Sequence, residues 1–356
     1  MTKFAISFGK TLKDYQDPFE TLSEKRLVYQ ELLDRIKDLG WEYFVVSTST
    51  YKGNGVFEGY WDYSEKKGQP VITAFEKTPD FQPGDESNAD NEVSSFAYIS
   101  SSFRGNRGLQ SVEDVIKRDE IRVDLVYDRS GGLKFPVKND KLRVIDNYAF
   151  KKLAWDKWLA FNEIGEYMPN TFWVGEKNNL KKVLPKIKTD YVVLKPYNGL
   201  KGRGVFIGNK EDALDFEFVP GKPLYIAQEF VDTSAGIPTI TSGKHDLRVV
   251  IINNKPVWSH IRIPVKGTLT ANVARGGNLI EVDVDNLPSK VVDIVVKVAK
   301  VFYNKFDNPV YSLDFGFENG HPKIFEVNDQ IGFPKTWMKA KDKFLEELVN
   351  NFKSKA

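Results

Sequence analysis

Asp314, Glu326 and Asn328 are residue types that could hold a hard cation, and their spacing decides whether they can meet. They lie in two alternating runs, 311–317 and 323–328, separated by Glu318-Asn319-Gly320-His321-Pro322. Leu313, Phe315, Phe317, Phe325 and Val327 carry odd numbers, whereas Asp314, Glu326 and Asn328 carry even ones. Side chains alternate faces along a strand, so each run has one apolar and one polar face. If Glu318 pairs with Pro322, the apolar faces join and Asp314 stands opposite Glu326, with Asn328 two residues along. A strict two-residue Asn-Gly turn would scramble both faces, so the pattern predicts a three-residue or bulged turn. Two carboxylates and an amide oxygen suit Mg2+, which leaves its remaining positions to water and phosphates. A solvated hairpin face fits the same residues equally well.

A second set could bind phosphate. Tyr191 to Pro196 reads as a strand containing Lys195, and Gly199, Gly202 and Gly204 follow before a second strand, Val205 to Ile207. Glycines let backbone N–H groups approach an anion closely. The order strand, glycine loop, strand is neither a Walker loop nor a dinucleotide fingerprint; it suggests a hairpin folding over phosphates, and a plain tight turn reads the same way. Arg248 and Arg262 lie on alternating strands, and Arg129 ends a strand where it could meet an anionic substrate or a surface carboxylate.

The elements that must position these residues follow the chain. A strand from Lys3 to Gly9, a helix from Ser23 to Leu39 stopped by Gly40, and a strand from Trp41 to Thr48 form a β-α-β opening, which suggests a parallel sheet. Lys52 to Tyr63 reads as a hairpin or ordered loop, Thr78 to Glu92 as an acidic exposed loop, and Ile121 to Tyr127 as a buried strand. One helix is expected over Phe150 to Ile164, a strand over Thr171 to Gly175 and a short basic helix over Asn178 to Ile187. Strands follow at Leu224 to Phe230, Gly243 to Ile252 and Pro256 to Pro264, and a helix over Ser289 to Phe306.

Composition narrows the chemistry. At 356 residues the chain is long for one core. A net charge of +2 gives no reason to expect nucleic acid or an anionic membrane. The absence of cysteine excludes disulfides and thiolate sites, and three histidines without paired spacing argue against zinc or a serine–histidine triad. No apolar core of signal-peptide length follows Met1, and the apolar stretch Val291 to Val301 is broken by charges. The expected location is the cytoplasm, with no membrane partner.

The segments, in order, resemble an ATP-grasp ligase, nearest to bacterial glutathione synthetase and the ribosomal-protein glutamate ligase group. The likeness runs from about Lys157 to Gly332. Asp156-Lys157 resembles the family's first nucleotide lysine, with Lys151 and Lys152 as alternatives. Leu194-Lys195-Pro196 with its glycines resembles the second lysine and flexible loop. Gln228-Glu229-Phe230-Val231 resembles the adenine hinge. Asp246-Leu247-Arg248, Arg262-Ile263-Pro264 and Asn272-Val273-Ala274-Arg275-Gly276-Gly277 resemble the phosphate- and substrate-contacting strands and loop, and Asp314, Glu326-Val327-Asn328 and Gly332 the metal end.

The resemblance implies an α/β (α+β) chain with an ATP-grasp fold and an N-terminal Rossmann-like domain. It divides the chain into 1–145 (substrate domain), 146–222 (central subdomain with the glycine lid) and 223–356 (metal subdomain). It implies ATP with one or two Mg2+, or Mn2+ in their place. Lys157 and Lys195 would meet phosphates, Gly199, Gly202 and Gly204 would cover them, and Gln228 to Asp232 would hold adenosine. Arg248, Asn272 and Arg275 would serve the reaction, and Arg262, Arg129, Gly276 and Gly277 the substrate. The implied activity joins a carboxylate to an amine through an acyl phosphate, the substrates being amino acids, peptides or protein tails. A phosphotransferase and a non-catalytic Mg-ATP-binding module are the alternatives. The family's habit also implies a homo-oligomer, although no segment shows the interface. Thr270 stands where family members often carry arginine, which leaves the substrate clamp open.

Overall fold

The computed structural model describes residues 1–9, 25–61, 116–133, 135, 142–199, 202–221, 224–264 and 278–356. Among them the chain forms three sheets. The acidic loop Thr78 to Glu92, Thr270, Asn272, Arg275, Gly276 and Gly277 lie outside the described residues.

The expected β-α-β opening is present. β1 (Lys3–Phe8) and β2 (Glu42–Ser47) pair in parallel around α1 (Lys25–Asp38). Gly40 follows the helix at φ +74°, the left-handed conformation of a helix stop. β3 (Tyr51–Gly53) and β4 (Val56–Trp61) form the expected hairpin. The single strand expected over 121–127 is two, β5 (Ile116–Arg122) and β6 (Leu125–Asp128). β5 pairs with β4, whereas β6 crosses to β1, so the chain must turn at Val123-Asp124. β7 (Arg143–Ile145) completes the sheet beside β6, in parallel. Strands β1, β6 and β7 therefore present their carboxyl ends on one side, where open parallel sheets place their ligands.

The helix expected over 150–164 is also two, α2 (Tyr148–Trp155) and α3 (Lys157–Ile164). The second sheet runs β10-β9-β11-β8. It comprises β8 (Thr171–Gly175), β9 (Tyr191–Pro196), β10 (Phe206–Asn209) and β11 (Tyr225–Glu229). The short helices α4 (Leu180–Val183) and α5 (Lys210–Asp215) flank it, so the basic helix expected over 178–187 is one α turn between 3-10 turns. Val192, Leu194, Tyr225 and Ala227 anchor its core.

The third sheet, β14-β13-β12-β15-β16, carries the candidate site. Its strands are β12 (Asp246–Ile252), β13 (Lys255–Ile263), β14 (Asn278–Val282), β15 (Tyr311–Glu318) and β16 (His321–Asn328). One face, with Leu247, Val249, Ile261, Leu313 and Phe315, buries against α6 (Ser289–Phe306) through Val291, Val295, Val298 and Phe302. The last helix, α7 (Lys341–Lys355), shares a core with the first sheet.

Candidate active site

The β15–β16 hairpin brings its acids together by a route other than the expected one. The turn is the tight two-residue kind: Glu318 pairs with His321, and Asn319 and Gly320 take φ values of +51° and +73°. The extra residue lies inside β16. Phe315 pairs with Ile324 and Asp314 with Glu326, leaving Phe325 as a bulge. The correction affects the faces as well. Ile324, not Phe325, completes the apolar face with Phe315 and Phe317. Phe325 turns to the other side and covers Gly316, where a Cβ would lie 1.9 Å from its ring. The bulge thus restores the register that sets Asp314 opposite Glu326.

Cross-strand register assembles the rest of the polar face. Asp246 pairs with Arg262, and Arg248 lies between His260 and Asp314. Arg248 grips Asp314 with two bonds of 2.7 Å, Nε to Oδ1 and Nη2 to Oδ2. Arg262 Nη2 donates to Asp314 Oδ2 at 2.8 Å and also to Asp246 Oδ2. Asn328 Nδ2 donates to Asp314 Oδ2 at 3.2 Å, which leaves its Oδ1 as the atom for a cation. Burial opposes the charge of Asp314, but the two guanidiniums outweigh it and hold the carboxyl well below the usual range. Burial and the neighbouring Asp314 push Asp246 up to about 7, against the pull of Arg262 and Arg248.

The two lysines reach this face from different elements, Lys195 from β9 of the second sheet and Lys157 from the start of α3. Asp156 breaks the helix at φ −104°, ψ 101°, and its Oδ1 accepts from Trp158 N and Leu159 N. That makes Lys157 the first residue of α3 and aims it at the glycine loop. Its Nζ donates to Gly199 O at 2.8 Å and lies 3.0 Å from Glu326 Oε1. Lys195 Nζ donates to Gln228 Oε1 at 2.9 Å and to the carbonyl of the bulge residue Phe325 at 3.3 Å. Burial and the charge of Lys157 lower its pKa to about 8, while Glu326 raises it. Lys151, the alternative first lysine, points elsewhere, to Asp128 and Asp329.

Gly204 lies beside Tyr225 and Val219, either of which a Cβ would meet at 2.8 Å, and has φ +76°. Gly199 and Gly202 frame the same loop. In the hinge, Gln228 Nε2 donates to Thr171 Oγ1, so this side chain links β8 to Lys195. The Glu229 N–H is committed to Asn170 O, the Phe230 N–H to Thr189 Oγ1, and Val231 is buried. Asp232 Oδ1 accepts from Ser234 N, as a turn residue does. Arg129, expected at a strand end facing a substrate or a carboxylate, is committed within the fold. Its guanidinium donates to Tyr29 Oη, Tyr127 Oη and Ile331 O, and so pins the first sheet to the exit of β16.

Two carboxylates and an amide are the donor chemistry of a divalent-cation site, although here Asp314 is held by Arg248 and Arg262 and Glu326 by Lys157. Asp314, Glu326 and Asn328 offer oxygen donors only, on one sheet face. Among the described residues no group of three or more His, Cys, Asp or Glu side chains converges. A cation here would therefore rest on two carboxylates and an amide, with phosphate and water completing its shell, which is the habit of Mg2+. Sequence reasoning placed Asp246 in a motif with Arg248 but gave only Arg248 a role of its own, although a spacing of two residues puts both on one face.

Residues 157–304 match the family model of the prokaryotic glutathione synthetase ATP-grasp domain. A probable alpha-L-glutamate ligase of Psychromonas ingrahamii is 24% identical over 168 residues, 46% of this chain and 51% of that one. The glutathione synthetase of Buchnera aphidicola is 34% identical over 93 residues, 26% of this chain and 28% of that one. The chain thus spans about half the length of the first of these relatives and less of the second. D-alanyl-alanine synthetase A of Vibrio cholerae shares the fold across 99% of this chain and 98% of its own, with a TM-score of 0.58 at 12% identity. Residues 157–304, under half of the chain, thus resemble the ATP-grasp domain of prokaryotic glutathione synthetases, and the fold as a whole is similar to that of the D-alanyl-alanine synthetase.

Proposed function

We propose that this protein is an ATP-dependent carboxylate–amine ligase, releasing ADP and phosphate. The observation that supports it best is the convergence of Lys157 and Lys195 on the face holding Asp314, Glu326, Arg248 and Arg262. Without nucleotide these cations and carboxylates neutralise one another. A triphosphate entering between the two sheets would draw Lys157 from Glu326 and Lys195 from Gln228. Both lysines then act as point charges on phosphate oxygens. The freed Glu326, with Asp314 and Asn328, would hold one or two Mg2+, which neutralise phosphate charge when bound.

In this reading the substrate carboxylate attacks the γ-phosphorus, the bond to the β–γ bridging oxygen breaks, and ADP leaves. The amine then attacks the acyl carbon, phosphate departs and the amine sheds a proton. Little covalent work falls to the protein, so positioning and charge dominate. Arg248, its Nε and Nη2 held by Asp314, would offer its Nη1 donors to the transferring phosphoryl group, with Arg275 and Asn272 serving the same group. Arg262, Gly276 and Gly277 hold the carboxylate. Gly199, Gly202 and Gly204 let the loop cover the phosphates, and the backbone of Glu229 to Val231 meets adenine, with Asp232 on ribose. Relatives named for glutamate and glutathione support amino acids or peptides as substrates.

The test is turnover followed by mass spectrometry, with Mg-ATP, pooled amino acids and peptides. ADP together with a product one water lighter than two substrates combined is expected, and Glu326→Gln should lose it. A stable phosphorylated product would replace the ligase with a phosphotransferase. Binding of Mg-ATP without turnover on any pool would favour a binding module.

A further inference from the structure

Lys151 is buried in α2, yet it does not join the phosphate-facing lysines. Its Nζ lies 2.8 Å from Asp329 Oδ2, as a hydrogen-bonded ion pair, and 3.1 Å from Asp128 Oδ2. The two acids belong to different parts of the fold. Asp128 ends β6 of the first sheet, and its Oδ1 accepts from Ser7 Oγ of β1 and from Ser130 N. Asp329 directly follows Asn328, the last residue of β16. Other contacts cross the same junction. Gln330 Nε2 donates to Asp128 O at 3.2 Å and to Asp329 Oδ2 at 2.8 Å, and Arg129 Nη2 donates to Ile331 O at 2.6 Å.

We propose that Lys151 is a positioning residue for the cation-holding end of β16: it ties Asp329, and through it Asn328 and Glu326, to the first sheet. The inference rests on the ligase reading only for the identity of the cation site. Consecutive Cα atoms are held about 3.8 Å apart, so displacement of Asp329 carries directly into Asn328. Mg2+ demands near-ideal octahedral geometry and tolerates little displacement of its donors. Lys151 is also the buried cation between two buried carboxylates, so its loss would drive Asp128 and Asp329 apart.

The experiment compares the full-length parent with Asp329→Asn, Lys151→Met and Lys151→Arg. ATP binding is measured by calorimetry with and without Mg2+, and hydrogen exchange of residues 326–331 is followed in the ligand-free proteins. Asp329→Asn should leave metal-free ATP affinity within about twofold of the parent. The Mg2+-dependent gain in affinity should fall at least fivefold, and exchange at 326–331 should rise at least tenfold relative to β12. Lys151→Met should act in the same direction and Lys151→Arg should recover most of the loss. If Lys151→Met does not fold, Asp329→Asn decides, because it keeps the Lys151–Asp128 pair. An unchanged Mg2+ gain, unchanged local exchange, or equal losses with and without Mg2+ would overturn the positioning role. A parent that binds no ATP at all would instead overturn the ligase reading.

Discussion

Lys195 is held where its charge is opposed. Burial and Lys157 bring its pKa down from 10.5 to about 8, with Glu326 pulling the other way. For a lysine depressed in the fold, the unfolded chain binds more protons between those two values. Its cost to stability is therefore present below about 8 and is relieved as pH rises toward 10.5. Phosphate beside Lys195 should restore its proton. ATP binding above about pH 8 should then take up a proton, and affinity should fall as pH rises. Calorimetry at pH 9 without Mg2+, in two buffers of different ionisation enthalpy, reads this directly. Well over half a proton should be taken up, and Lys195→Met should take up none. Equal heats in both buffers would remove Lys195 from the phosphate site. Asp314 and Glu326 were legible in the sequence as a facing pair because strand alternation marks a polar face, and Lys195 because its strand runs into a glycine loop. Their partners were not. That Arg262 is shared between Asp246 and Asp314, or that Arg129 is spent on Tyr29, Tyr127 and Ile331, depends on contacts between residues distant in sequence.

At the scale of elements, two local irregularities build the site, and periodicity sees neither. Helical spacing runs smoothly through 150–164, yet Asp156 stops one helix and caps the next. The break is held from outside, since Lys157 N donates to Tyr197 O and Asp156 bridges to Asn198. In β16 the bulge at Phe325 moves the register by one residue, so the alternating pattern pointed to the right acid pair through the wrong turn. The strands on either side of the glycine loop, with their regular patterns, were legible almost to the residue. Asp156→Ala removes an N-cap, which costs about 1 kcal/mol and should lower the melting temperature by about 2 °C. It should also weaken ATP binding, because Lys157 loses its fixed start. Asp156→Asn keeps a capping oxygen and should restore both. A normal melting temperature and normal ATP affinity in Asp156→Ala would show that the break does not depend on this cap.

Across the whole molecule, the first sheet and the third are joined by one apolar core, although their strands lie far apart in sequence. That core includes Phe4, Leu125 and Tyr127 from the first sheet, Val250, Ile252 and Trp258 from the third, and Leu345, Leu348 and Phe352 from α7. A division after residue 145 and between residues 222 and 223 would part β11 from β8, β9 and β10 of its own sheet, and the core crosses from the first segment into the last. The β-α-β opening was readable from glycine and helical spacing; the seat of the last helix was not, because its apolar stripe carries no label of its partner. Phe352 is fully buried, with its ring 4.9 Å from Phe4 and 5.1 Å from Tyr127. Phe352→Ala opens a cavity at that seam and should cost about 3–5 kcal/mol. If the seam makes the two sheets one cooperative unit, calorimetry should show a single transition shifted down by several degrees. Nucleotide affinity below that transition should remain, since Phe352 is remote from the lysines. A variant whose first sheet melts separately, with the third unmoved, would show two units that merely touch. In that case the path from β6 to the end of β16 would rest on the polar junction at Lys151 alone.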